Sequence, residues 1–260
     1  MRKSKVSNAT GTAERQRQFE DWFQSPLGRN LLANERESIH QCIEGFYGYY
    51  LLEMPVSYRM PVGNGSLVRH RMIAVSGWQD GLPDNTVVAM PHELPFENDS
   101  LDAVILHHTL DFAQKPHQVL REASRVLVSG GHILVVGFNP YGLWGLCKLL
   151  SRRRTVPWCG HFISPLRLED WLTLLDFRLK TVHHDFYQPP LRHRGWLQAF
   201  SFLNRWGQRM KLPAGAYYVA VAQKRVAAAI RPKPRWRKLV NVGTIPAVNR
   251  VSREITNEDC

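Results

Sequence analysis

Long apolar runs are missing from this chain. Among its 260 residues no stretch approaches the roughly 18 apolar residues that a membrane span needs. Cysteine is scarce: Cys42, Cys147, Cys159 and Cys260 stand far apart in sequence, which argues against a disulfide framework and against paired zinc ligands. Cys159 and His161 in "WCGHF" have no further partners at metal-ligand spacing, so no metal is expected. The basic N-terminus has no apolar segment behind it, which excludes a secretory signal. Together these absences point to a reduced, cytoplasmic protein. Acidic residues are thin at both ends. Residues 1–18 hold five Lys/Arg against one Glu and residues 225–260 hold eight against three acids, whereas residues 19–224 hold 21 against 18. The net charge of +12 therefore belongs mainly to the ends. Such ends are solvated by default, and they also suit nucleic acid or an anionic membrane.

What is present is a body that is 44 % hydrophobic across the whole chain, enough for a sizeable core. Helical spacing runs through residues 14–44, with Leu27, Leu31, Leu32, Ile39, Cys42 and Ile43 as its apolar stripe. Ser25 and Pro26 predict a break, because Ser caps a helix and Pro opens one. Short apolar runs predict strands at "YYLLEM", "RMIAV", "TVVAM", "DAVILH", "HILVVGF", "LKTVHHDF" and "YYVAVAQ". Between the fourth and fifth, "KPHQVLREASRVL" reads as a helix opened by Pro116 and stopped by Ser129-Gly130-Gly131. Ser164-Pro165 opens another, and "RGWLQAFSFLNRWGQRM" places Trp196, Phe200, Leu203 and Trp206 on one helical face. Strand, helix, glycine-rich stop and strand make a βαβ unit.

Leu94-Pro95-Phe96, Asp102, Pro116 and Leu127-Val128-Ser129-Gly130-Gly131 follow one another in this order over residues 86–137. This segment resembles the second half of a class I S-adenosylmethionine-dependent methyltransferase domain. The resemblance implies an α/β fold, a doubly wound, mostly parallel seven-stranded sheet with helical insertions at 139–162 and 188–213. It also implies three regions: an N-terminal helical extension (1–44), the methyltransferase-like domain (45–224) and a basic, disordered tail (225–260). Where the family has glycines after the first strand, this chain has Met54-Pro55. Ser76 stands where the second strand usually ends in an acid, and Met90 holds the matching place after the third.

An open α/β sheet binds ligands beyond the carboxyl ends of its strands. The resemblance therefore implies S-adenosylmethionine at Leu52, Glu53 and Met54, at Met90, Leu94, Pro95 and Phe96, and at His107, His108 and Thr109. His107 and His108 are the candidate catalytic residues, because imidazole suits proton transfer near neutral pH. Asp111 is placed either to orient an imidazole or to cap the next segment. The insertions, rich in Trp and Arg, suit a small-molecule or lipid-like methyl acceptor. Two functions stay open on these residues. One is methyl transfer. The other is a catalytically inactive methyltransferase fold that binds nucleic acid, anionic membrane or a protein partner.

Overall fold

Consecutive apolar residues in the central strands need cover on both faces, and the architecture supplies it. The computed structural model describes residues 17–55, 57–150, 156–190, 201–210 and 212–226. Its strands are β1 (Tyr50–Met54), β2 (His70–Val75), β3 (Thr86–Val88), β4 (Leu101–His107), β5 (Leu127–Phe138), β6 (Phe177–Asp185) and β7 (Tyr217–Lys224). They form one sheet in the order β3-β2-β1-β4-β5-β7-β6. β7 runs antiparallel to both β5 and β6, and the other pairs are parallel. All seven predicted strands are present, as the resemblance implied.

Alternation along each strand sorts the side chains into two layers. Leu51, Ala103, Ile105, Leu134 and Val136 face the N-terminal helices, a helix over residues 17–23 (α1) and α2 (Pro26–Ile43). Leu52, Val104, Leu106, Ile133 and Val135 face α4 (Pro116–Val126) and α6 (Pro165–Leu174). A one-turn helix, α3 (Thr109–Phe112), follows β4. α5 (Leu143–Leu150) and α7 (Ser201–Met210) lie in the two insertions. The N-terminal helices thus share their core with the sheet: Phe19, Phe23, Leu31 and Ile39 are fully buried in it.

The helix starts come from local chemistry. Ser25 Oγ accepts the Gly28 N–H at 3.1 Å, and Ser164 Oγ accepts the Arg167 N–H at 3.3 Å, each with proline next in sequence. At the α1–α2 corner a Cβ on Gly28 would lie 2.4 Å from Trp22 O and 2.6 Å from Phe23 Cα. Both are backbone atoms that cannot yield singly. Gly28→Ala should therefore cost about 1–3 kcal/mol by denaturant unfolding, and an unchanged midpoint would show that the corner can open.

Two expectations change. α4 stops at Val126, and the glycines do not cap it: Leu127 is already extended and pairs with Leu101. Strand pairing captures the chain before it reaches Gly130. That glycine, at φ +86°, takes up the register shift between the Leu101 and Ala103 pairings instead. The third strand is also short, three residues. The chain divides after Ala227, and the second unit, Ala228–Cys260, lies outside the described residues, as do Trp196 and Phe200.

Candidate functional site

β4 ends in two histidines, and adjacent strand residues normally point to opposite faces. Here they converge. His108 leaves the strand in the left-handed region, φ 54° and ψ 10°, a conformation that a non-glycine residue holds only when its surroundings fix it. Both rings then meet one carboxylate of α2. His107 Nε2 lies 3.0 Å from Glu35 Oε2, and His108 Nε2 lies 2.9 Å from Glu35 Oε1. On the other side of its ring, His108 Nδ1 lies 2.8 Å from Asp111 Oδ2, which also accepts the Phe138 N–H at 3.0 Å. Asp111 thus orients the imidazole. All four side chains are buried, with Phe19, Phe23 and Phe138 packed on the His108 ring. Glu35, His107 and His108 are ligand types that suit a transition metal. Their atoms face one another at hydrogen-bond distance, so an ion would have to displace the protons between them.

His108 contacts a carboxylate through each ring nitrogen, and only the imidazolium donates from both. Burial works against that charge, but Glu35 and Asp111 outweigh it and raise the His108 pKa to about 9. Burial likewise opposes the Glu35 charge, and the two imidazoles outweigh it and hold Glu35 at about 2. His107 is pushed down by burial, with Glu35 opposing. Burial pushes Asp111 up, against His108 and the Phe138 N–H.

Glu35 therefore contributes stability that is complete above its ordinary 4.5 and is lost as pH falls toward about 2. His108 contributes stability that is complete below its ordinary 6.5 and is lost as pH rises through about 9. The unfolding free-energy gap between wild type and His108→Gln should shrink by about 3 kcal/mol between roughly pH 6 and pH 10. A gap that stays constant over that range would mean His108 is not cationic.

The carboxyl ends of β1, β2 and β4 are built separately. Glu53, on β1, is buried and accepts the N–H groups of Val62 (2.5 Å) and Gly63 (3.0 Å). Burial raises its pKa against those two donors and Arg71. Gly63 has no room for a side chain, since a Cβ would stand 2.8 Å from Glu53 Oε2. Thr109 Oγ1 donates to Met54 O at 2.9 Å and so ties the end of β1 to the end of β4. Leu94, Pro95 and Phe96 form a loop clamped by α4. Glu122 accepts the Leu94 N–H, while Arg125 donates to the carbonyls of Leu94 and Phe96. Met90, partly exposed, turns back on Glu93. Past β2, a Cβ on Gly77 would meet no atom within 4 Å, and Trp78 is exposed.

The structure thus places the predicted residues in three groups. Met54 and Thr109 touch, with Glu53 beside them and Leu52 buried below. Leu94–Phe96 is a second wall. His107 and His108 turn away to Glu35. Sequence reasoning missed Glu35, Glu122 and Arg125. Glu35 left a signal: it lies midway between Leu31 and Ile39, four residues from each, and so is a charge on the buried stripe of α2. Glu122 and Arg125 left only the i,i+3 spacing of an ordinary surface pair.

The methyltransferase domain family matches residues 69–135. The chain is 32 % identical over 228 residues to the uncharacterized protein YafS of Escherichia coli, covering 84 % of this chain and 89 % of YafS. It superposes on a S-adenosylmethionine-dependent methyltransferase of Thermotoga maritima with a TM-score of 0.57 at 18 % identity, over 80 % of this chain and 94 % of that one. A S-adenosylmethionine-dependent methyltransferase of Archaeoglobus fulgidus gives 0.53 at 15 % identity, over 79 % and 98 %. At these identities the likeness to solved structures concerns the fold.

Proposed function

The chain belongs to the family of YafS and carries a S-adenosylmethionine-dependent methyltransferase domain, and on that premise we propose that it transfers the cofactor's methyl group to a small, lipid-like acceptor. When bound, the cofactor supplies an electrophilic methyl on a sulfonium. The protein's task is then chiefly to place the two reactants in line.

The cofactor reading fits the residues at hand. Glu53 fixes the loop after β1, Thr109 holds the strand ends in register, and Leu94–Phe96 is braced from α4. With Ser76 replacing an acid, the ribose would be held by hydroxyl and backbone groups, and the adenine by apolar surface at Met90 and Trp78. His107 and His108 serve in this reading as positioning residues: through Glu35 they fasten α2 over the end of β4.

One observation carries the acceptor class. A cleft of about 630 Å³ is walled by Trp22, Leu27, Val156, Pro157, Trp158 and Pro190, with Gln18, Asp21 and Ser25 as its polar positions. Trp22 and Trp158 both pack on Trp144, which stacks on Phe138 at the end of β5. A space of this size, mostly apolar with a few polar groups, suits a ligand with an apolar body and a polar end. The test is to incubate the protein with methyl-labelled S-adenosylmethionine and either the organic-phase or the aqueous extract of its host cells. Label should enter organic-soluble product. Label appearing only in water-soluble product would overturn the lipid-like acceptor while keeping methyl transfer.

A further inference from the structure

α5 is patterned the wrong way round for a soluble protein. Surface helices bury their apolar stripe and expose their charges. Here Leu143, Leu146 and Leu150, at i, i+3 and i+7, face solvent together with Leu149, and Leu149 and Leu150 are 83 % and 74 % exposed. The helix's lysine is turned inward instead. Lys148 Nζ donates to the Gly160 carbonyl and lies 4.2 Å from the centre of the Phe162 ring. Trp144 alone anchors the buried side, with its Nε1–H on the Gln188 carbonyl at 2.9 Å.

The second insertion adds to the same neighbourhood. Asn139 Nδ2 donates to Pro213 O at 2.9 Å, and Gly142 is pressed against the Ala214 and Gly215 carbonyls. The start of α5 therefore meets the segment that follows α7. On α7, Trp206 and Met210, four residues apart, are both exposed, and Tyr141 is exposed just before α5. Exposed apolar side chains on α5, with more on the helix that leads into the segment its start touches, mark an interaction surface.

Charge identifies the partner. Sequence positions 123–168 and 186–253 contain no Asp or Glu. The two insertions, 139–162 and 188–213, hold Lys148, Arg152, Arg153, Arg154, Arg192, Arg194, Arg205, Arg209 and Lys211. Exposed leucines in insertions whose sequence carries these nine cations and no acid match the interface of an anionic bilayer, where apolar side chains enter the acyl boundary and cations meet the headgroups.

We propose that the α5–α7 face docks the protein on an anionic membrane surface. This extends the lipid-like acceptor of the preceding section by giving its source, but docking itself needs neither cofactor nor chemistry.

The test is co-sedimentation of the full-length chain with phosphatidylcholine vesicles containing about 30 % phosphatidylglycerol. Three proteins are compared. One is wild type. The second is Leu146→Ser/Leu149→Ser/Leu150→Ser. The third has the tail cations Arg231, Lys233, Arg235, Arg237 and Lys238 replaced by Gln. Wild type should bind, more weakly as salt rises and on purely zwitterionic vesicles. The triple leucine variant should bind at least about a hundredfold more weakly, since each leucine withdrawn from the interface costs about tenfold or more. Its melting temperature should not fall, because these side chains are exposed. The tail variant should keep the leucine-dependent part. Equal binding by wild type and the leucine variant would overturn the proposal. So would the absence of vesicle binding alongside salt-sensitive binding to RNA, which would assign the basic charge to nucleic acid. A vesicle-binding protein with no methyl transfer to extract would retain the docking face and remove the acceptor reading.

Discussion

Glu35→Ala should bring the protein close to unfolding. The substitution removes the acceptor of two buried imidazoles at once and leaves His107 and His108 facing each other without a carboxylate between them. Breaking a buried charge pair from one side costs about 3–5 kcal/mol, against a total stability of about 5–15 kcal/mol for a typical domain. The loss should be largest where α2 meets β4. Urea unfolding of the variant should therefore show a much lower midpoint, and hydrogen exchange should quicken first along residues 26–43. Glu35→Gln should be milder, because its amide oxygen can still accept from one ring. A Glu35→Ala midpoint within about 0.5 kcal/mol of wild type, the usual range for a surface change, would show that the cluster is not what fastens the helix.

The second large effect is expected at Glu53. Its two oxygens take the N–H groups of Val62 and Gly63, so Glu53→Ala strands two buried donors, at about 1–3 kcal/mol each. In the proposed cofactor reading, the loop that those amides fix lies against the bound cofactor. Affinity for S-adenosylhomocysteine should fall at least about a hundredfold, the equivalent of about 3 kcal/mol. Glu53→Gln retains one acceptor and should fall between. Cofactor affinity unchanged in Glu53→Ala would place the cofactor elsewhere.

The strands were legible because their signal is local. Ala103–Leu106 and Ile133–Val136 are runs that only a doubly covered sheet can bury. Ser25-Pro26 and Ser164-Pro165 were legible for the same reason, since a cap and the helix it opens lie within four residues. What escaped depends on distant partners. Leu127 ends α4 early because Leu101 is waiting beside it, a contact that no helix-stop rule contains. Glu35 meets His107 across 72 positions of sequence. The left-handed His108 defeats the strand rule that would send the two histidines apart. That the α5 leucines face out while Lys148 turns inward depends on what packs around the helix, not on its own sequence. In the candidate site Met54 and Thr109 were legible as flanking strand ends, and Leu94–Phe96 only through the resemblance. The clamp of Glu122 and Arg125 on Leu94 and Phe96 was not, because it resembles any surface ion pair.

The central claim is that this fold still holds S-adenosylmethionine although Met54-Pro55 replace the usual glycines. Isothermal titration of the full-length protein with S-adenosylhomocysteine tests it most directly. The account predicts one site per chain, a rise in melting temperature that grows with ligand concentration, and loss of both signals in Glu53→Ala under conditions where that variant is still folded. No heat and no thermal shift at millimolar ligand would contradict it and leave a methyltransferase fold that binds something else.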